Sequence, residues 1–353
     1  MGSPSLKQPF VIGSIPTAVG PVPQVSSFLT WAYRLGTFKA RWGIGRMNYT
    51  IDAGLYALRT PDEQSPVLVT ANYKMSFDKL REALPGRDMW ILVLDTKGIN
   101  VWCSAGKGTF GTSELVDRIA SSGLSQIVSH RELILPQLSG PGVAAHHVKK
   151  LSGFKAIYGP IRSKDLPTFL DNGLKAAPEM RLKTFTTWER IVLIPIELVQ
   201  ALKVGLMITP IFFLLSFLGR LGEGWTNALT HGLYSVLAIL SAILAGSVLT
   251  PLFLPWLPGR AFSLKGLSLG LLTAIILTAF RWGDWITGAG RLEILAWLLL
   301  IPAISAYLGM NFTGASTCTS LSGVKKEMRW ALPIQIGAGL VGVILWIGSQ
   351  FIA

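Results

Sequence analysis

Apolar positions fall into two regimes along the chain. Between residues 66 and 172 they come in runs of three to five, separated by stretches with helical spacing. The runs 66–70, 90–94, 133–135 and 156–158 read as buried strands, and Ile99 to Trp102 as a short apolar piece after Gly98. Phe77, Leu80 and Leu84 recur at helical spacing behind Ser76, which would cap a helix reaching residue 84. Further helices are predicted from Thr112 or Ser113 to about residue 121, over 143–151 and over 165–172. Glu114 lies in the first turn of the helix at 112, where the helix dipole favours an anion. Short strands alternating with helices predict an α/β domain with an open Rossmann- or flavodoxin-like sheet. Such sheets bind ligands at the carboxyl ends of their strands.

Beyond residue 190 the pattern changes. No Asp, Glu, Lys or Arg occurs over 224–259, 294–324 or 330–353. Runs of that length predict an all-α transmembrane domain of about five helices, near 191–218, 226–250, 264–281, 291–309 and 331–352. Glu197 and Lys203 interrupt the first, which could instead begin as an interfacial helix. The predicted organisation is an irregular N-terminal tail (1–40), an α/β domain (41–175), a basic linker (176–190) and a transmembrane domain (191–353). The tail's start is rich in Gly, Pro and Ser and has no continuous apolar core of signal-peptide type. Trp31, Tyr33, Trp42 and Tyr49 interleave with Arg34, Lys39, Arg41 and Arg46. That segment reads as a lid or a membrane-facing surface rather than a nucleic-acid platform.

Composition agrees with the division. Half the residues are hydrophobic, 14% are charged and the mean hydropathy is +0.48, which excludes a single soluble globule. Residues 1–190 contribute +9 of the formal net charge of +13. The basic residues form no tight cluster and no groove-reading module, so no nucleic-acid partner is expected. Lys and Arg held in cytoplasmic parts explain the excess. Five spans from a cytoplasmic N-terminus put Arg260/Lys265 and Lys325/Lys326/Arg329 inside and Arg220, Arg281 and Arg291 outside. The expected location is the inner (cytoplasmic) membrane, multi-pass, with the α/β domain in the cytoplasm. Two cysteines make no disulfide framework and fit a reducing compartment.

Candidate chemistry concentrates at residues 100–112, which hold Cys103. Small residues follow the thiol and would let a planar group approach the backbone. Lys107 and the next helix's N-terminus supply positive potential that would favour a thiolate, a soft metal ligand. A small packed cysteine beside a turn is the commoner fate of a lone Cys, so the residues alone leave both readings open. Residues 106–109 echo a phosphate loop only faintly, and no zinc-ligand spacing occurs. His146 and His147 are neighbours about 100° apart on a helix, a poor chelating pair. His130 and Arg131 read as a surface pair. Asp95 could orient a ligand or cap its turn. Cys318, in a Gly/Ser/Thr-rich loop, could relay a soft metal or simply pack. Glu197, Lys203, His231, Asp284 and Glu293 are ionisable groups in or near spans.

Residues 100–107, Asn-Val-Trp-Cys-Ser-Ala-Gly-Lys, resemble the corrinoid-binding signature of the membrane-anchored corrinoid proteins of mercury methylation, with Ser104 where alanine is usual. Residues 69–78 (Val-Thr-Ala-Asn-Tyr-Lys-Met-Ser-Phe-Asp) and 135–146 (Leu-Pro-Gln-Leu-Ser-Gly-Pro-Gly-Val-Ala-Ala-His) are similar to segments of the related, soluble corrinoid subunit of the acetyl-CoA synthase pathway. The five-span tail, with Met-Asn-Phe-Thr-Gly at 310–314 and Ser-Leu-Ser-Gly-Val-Lys-Lys at 320–326, resembles the mercury family instead.

The resemblance implies a cobalamin-type corrinoid with its benzimidazole tail displaced and Cys103 as lower cobalt ligand and catalytic residue. It implies cofactor contacts from Thr70, Asn72, Asn100, Val101, Trp102, Cys103, Ser104, Ala105, Gly106, Lys107, Gln137, Gly140, Gly142 and His146. The implied reaction passes a methyl group from methyl-Co(III) to Hg(II), with a methylated folate as methyl source. Strong thiolate donation suits an electrophilic acceptor but makes reduction to Co(I) harder. The implied partner is therefore a ferredoxin-like protein with two 4Fe–4S clusters, because two cysteines cannot ligate a cluster within this chain. Rival readings are a corrinoid methyl carrier for another acceptor in one-carbon metabolism, and a membrane transporter or sensor whose soluble domain binds a ligand without chemistry.

Overall fold

The computed structural model of the chain describes residues 3–219, 224–317 and 319–352. Cys318 and Arg220 lie outside the described residues. Two compact units are present, one comprising residues 1–40 and 44–183, the other 41–43 and 184–353.

The first unit is built on a seven-stranded sheet: β1 (Val11–Thr17), β2 (Gly20–Val25), β3 (Gly54–Leu58), β4 (Val67–Ala71), β5 (Met89–Leu94), β6 (Glu132–Leu135) and β7 (Lys155–Tyr158), in the order β1-β2-β3-β5-β4-β6-β7. β5, β4, β6 and β7 are parallel, while β3 runs antiparallel to β5. Every residue of β3, β4 and β5 is buried. Burial on both faces explains why β4 and β5 read as unbroken apolar runs. Helices α1 (Trp31–Arg41), α2 (Lys74–Glu82), α3 (Val101–Lys107), α4 (Thr112–Ser121), α5 (Ala145–Ser152) and α6 (Leu166–Asp171) follow in chain order. Phe77 and Leu80 of α2, Leu84 just beyond it and Phe169 of α6 pack on one sheet face; Leu115 and Ile119 of α4 and Val148 of α5 pack on the other. The chain goes from β4 to β5 on one side, then crosses to β6 on the other. The strand order therefore reverses between β4 and β6, the position at which sheets of this kind form a ligand crevice outside the carboxyl ends of their strands.

Several expectations need correction. Residues 11–25 are not irregular: β1 and β2 form an antiparallel hairpin at the sheet edge. Their prolines hid them, and an edge is where a strand tolerates proline. The N-terminal segment is also held down. Phe10 is buried against Tyr56 and Phe77, and the buried Arg81 guanidinium, paired with Asp78, donates to the carbonyl of Phe28 at 3.2 Å. Ser76 lies inside α2 rather than capping it, with Tyr73 at the cap position. Gly111 occupies the cap position of α4. The segment that includes the predicted short piece at 99–102 and the flexible stretch after Cys103 is instead the helix α3.

In the second unit five helices are long and apolar enough to cross a membrane: Thr187–Leu218, Gly224–Phe253, Phe262–Ala279, Gly288–Ala315 and Ser322–Phe351. The first helix opens on a capping box between Thr186 and Glu189. The third and fourth approach closely through small residues. Ser305 donates its hydroxyl to the Gly266 carbonyl at 2.8 Å, and a Cβ on Gly309 would stand 3.1 Å from the Gly266 Cα. Small residues and interhelical hydroxyl bonds of this kind stand in for the hydrophobic drive that lipid removes.

Candidate functional site

The crevice between β4 and β6 is framed by the loop after β5, by α3 and by the loop after β6. Asn72 directly follows β4, and its buried carboxamide organises the first of these. Its Oδ1 accepts from the Thr96 and Gly98 backbone N–H groups at 3.1 and 3.0 Å, while Nδ2 donates to Asp95 Oδ1 at 3.2 Å. Lys97 and Gly98 both take positive φ (57° and 69°), so the chain turns sharply before α3. Asp95 is held by Lys97 through the ammonium at 2.6 Å and the backbone N–H at 3.0 Å. Partial burial pushes the Asp95 carboxyl up, but the two Lys97 contacts and the Arg118 charge outweigh it, and the group sits below the usual carboxylate range. Of the two readings of Asp95, the geometry matches the turn cap.

Asn100 caps α3. Its Oδ1 accepts from the Cys103 N–H at 3.0 Å, and its Nδ2 lies 3.5 Å from Cys103 Sγ. One side of α3 carries the exposed Trp102, Cys103, Gly106 and Lys107; the other buries Ser104 and Ala105, and Val101 packs against the core. Ser104 is fully buried and donates its hydroxyl to the Asn100 carbonyl at 2.7 Å. The serine-for-alanine difference in the motif therefore falls on the side of the helix away from the exposed thiol. Nothing stands within 4 Å of a Cβ built on Gly106, so the exposed face is open beside the thiol.

The loop after β6 braces α3 from below. A Cβ on Gly142 would overlap the Phe110 carbonyl oxygen outright and stand 3.0 Å from the Ala105 Cα. Thr112 N–H donates to the Gly142 carbonyl at 3.2 Å, and Ala144 N–H to Thr112 Oγ1 at 2.9 Å. The Tyr158 hydroxyl donates to the Val143 carbonyl, and burial pushes its pKa up. Gln137 accepts from Arg181, and Gly140 is exposed.

The fourteen expected contact residues thus separate by placement. Trp102, Cys103, Gly106 and Lys107 share the accessible side of α3, Asn100 caps that helix, and Val101 packs against the core. Thr70, Asn72, Ser104 and Ala105 are buried. Gln137, Gly140 and Gly142 belong to the bracing loop. His146 is exposed in the first turn of α5 beside His147, ring centroids 4.2 Å apart. The bracing role of Gly142 and the clamp made by Asn72 are contacts the sequence pattern does not reveal.

Chemically, the accessible face offers one soft donor. Among the described residues no three His, Cys, Asp or Glu side chains gather to hold a metal. A metal bound at Cys103 must bring most of its own coordination sphere, and the open surface beside Gly106 gives a broad planar carrier room to lie against α3.

Comparison with known proteins bears on the same region. A family profile described as CO dehydrogenase/acetyl-CoA synthase delta subunit matches residues 45–170. Subunit gamma of the acetyl-CoA decarbonylase/synthase complex of Methanopyrus kandleri is 33% identical over 124 residues, 34% of this chain and 26% of that protein. The corresponding subunit of Methanothermobacter thermautotrophicus is 30% identical over 128 residues (36% and 28%), and subunit gamma 2 of Methanosarcina thermophila 31% over 133 residues (36% and 27%). The chain spans little more than a quarter of the length of these relatives. What it has in common with them is the segment that builds β3 to β7 and the crevice.

Proposed function

We propose that the α/β unit holds a corrinoid with Cys103 as the lower axial ligand of cobalt, and that the chain is a membrane-anchored, corrinoid-dependent methyltransferase acting on Hg(II) to form methylmercury. The observation that carries this reading is the exposed Cys103 thiol on an open helix face near the strand-order switch. Similarity to acetyl-CoA decarbonylase/synthase subunits supports the corrinoid part. The mercury acceptor rests on the motif at 100–107 and on the five apolar helices.

A corrinoid held by Cys103 would supply a cobalt-bound methyl group, which donation from the thiolate would make readier to pass to an electrophile. The chain's own residues do the rest. Asn100 fixes the first turn of α3 and holds Sγ near its amide. Ser104 and Ala105 lock the helix to the core, so the sulfur is presented at a constant height. Gly106 leaves the face flat, and Gly142 sets the depth to which α3 sinks against the loop beneath it. Asn72 and Asp95 keep the loop before α3 in one conformation. An external low-potential donor completes the system, a ferredoxin-like protein with two 4Fe–4S clusters, and a methylated folate is the methyl source. The α/β unit lies in the cytoplasm and the helices in the inner membrane, since the basic loops would then face inward.

A second reading, a corrinoid methyl carrier for another one-carbon acceptor, is favoured by the names of the relatives, which belong to an acetyl-CoA complex. One experiment separates the two. The full-length protein is loaded with methylated corrinoid, supplied with a low-potential reductant and given Hg(II). Methylmercury should form, up to one for each methylated corrinoid loaded. Retained corrinoid with no methylmercury would leave the carrier reading.

A further inference from the structure

One feature of the helical unit lies apart from this chemistry. At the end where the first, third and fifth spans begin and the second finishes, the structure forms an open pocket of about 640 Å3. Arg190, Arg260, Lys265 and Lys326 line it, against a single acid, Glu327. Two of the basic groups are fixed in place by neutral oxygens. Arg190 is buried and donates to the Phe185 carbonyl at 2.8 Å and to Thr187 Oγ1 at 2.9 Å. Lys265 Nζ donates to the Leu254 and Leu257 carbonyls at 2.7 and 2.8 Å. Glu327 is turned to the third span, accepting from the Ser263 N–H at 2.6 Å. Among the described residues, neither Arg260 nor Lys326 makes an ion pair. Leaving Arg190 aside, Arg260, Lys265 and Lys326 outnumber Glu327 in the lining by two charges. The remaining wall is largely apolar, with Trp330 half exposed at its edge.

We propose that this cavity binds the headgroup phosphate of an anionic glycerophospholipid from the surrounding bilayer. Charge complementarity selects an anion, and Arg and Lys together suit a phosphate oxygen set. The apolar wall and the volume select a lipid over a small ion, because a free phosphate would leave the wall facing water. The level in the fold agrees. The cavity lies where helices enter the apolar layer, the depth of headgroups and of interfacial tryptophan, and basic pockets between spans are a recurrent lipid site. The site is independent of the corrinoid reading.

The test uses the full-length chain in neutral detergent, with three probes: phosphatidylglycerol, phosphatidylcholine and water-soluble glycerol phosphate. Retained molecules are counted by native mass spectrometry and affinity is read by titration. Phosphatidylglycerol should bind at least tenfold more tightly than phosphatidylcholine. The Arg260→Gln/Lys326→Gln pair should weaken it by about tenfold or more. Arg329→Gln, which removes a charge near the cavity but outside its lining, should not. Equal binding of the two lipids, undiminished binding by the double variant, or an equal loss in Arg329→Gln would overturn the site. Binding of glycerol phosphate as tight as that of phosphatidylglycerol would overturn the lipid assignment.

Discussion

Replacing Gly142 with alanine probes the contact that sets α3 in place. The new methyl group would overlap the Phe110 carbonyl oxygen and press on Ala105 at 3.0 Å from Cα and 3.1 Å from the carbonyl oxygen. All three are backbone atoms, so no side-chain rotation relieves the clash. An ordinary carbon–oxygen contact is about 3.3 Å or longer, so the two segments must part by roughly 1 Å. Overpacking of that kind costs about 1–3 kcal/mol. Parting the segments also strains the Thr112 N–H bond to the Gly142 carbonyl, worth about 1 kcal/mol. The sum, about 2–4 kcal/mol, should lower the melting temperature of a unit this size by roughly 4–15 °C. Differential scanning fluorimetry of the full-length protein in detergent, with and without corrinoid, reads both stability and cofactor retention. Gly106→Ala is the control, because its Cβ meets nothing within 4 Å. Without corrinoid it should be neutral or stabilising by about 0.5–1 kcal/mol, yet it should weaken cofactor binding if a planar group lies on that face. Wild-type melting and wild-type corrinoid content in Gly142→Ala would refute the described packing of α3 against the loop.

Three further outcomes are expected. Asn72→Ala removes the acceptor for the N–H groups of Thr96 and Gly98, Thr96 being fully buried, and should cost about 2–4 kcal/mol in denaturant unfolding while lowering corrinoid content. Asp95 has a lowered pKa in the fold, so the stability it adds is present above its unfolded value near 3.9 and is lost as the pH falls below that value toward the folded one. Amide exchange across residues 96–107 should therefore rise in acid, and Asp95→Asn should flatten that rise; an identical profile in the variant would remove Asp95 from the clamp. A reporter that fluoresces only in the cytoplasm should light up when fused after Lys326 and stay dark after Ala353, whereas a bright C-terminal fusion would mean an even number of crossings.

Legibility in the sequence followed the physics of each element. β4 and β5 were readable because burial on both faces writes them as continuous apolar runs. β1, with Pro16 and Gly13, and β2, with Pro21 and Pro23, read as loop; β1 is the sheet edge, and β2 pairs with β3 only at Gln24 and Val25, which leaves its prolines outside that ladder. β3, Gly-Leu-Tyr-Ala-Leu, is too short and too small in its side chains to announce itself without its partner β5. α3 was hidden because Ser104 and Gly106 lower its propensity; the Asn100 cap and the packing of Ala105 over Gly142 make it a helix. The five spans were plain from the absence of charge, but the first starts earlier than the apolar run, since the helix carries Glu189 and Arg190 in its opening turns. At the proposed site, the motif around Cys103 includes residues that α3 leaves exposed, while the layer beneath it depends on long-range contacts that no local pattern encodes.

The most direct test of the central claim is the visible absorption spectrum of corrinoid-loaded Cys103→Ala beside that of the wild type. The substitution removes one exposed side chain that lies 3.5 Å from the Asn100 amide, so folding should be preserved. With Cys103 as the lower ligand, the wild-type spectrum should report sulfur on cobalt. The variant should then shift to the tail-displaced, water-ligated form and lose methyl transfer. An unchanged spectrum, with transfer at the wild-type rate, would contradict the assignment of Cys103 as the cobalt ligand.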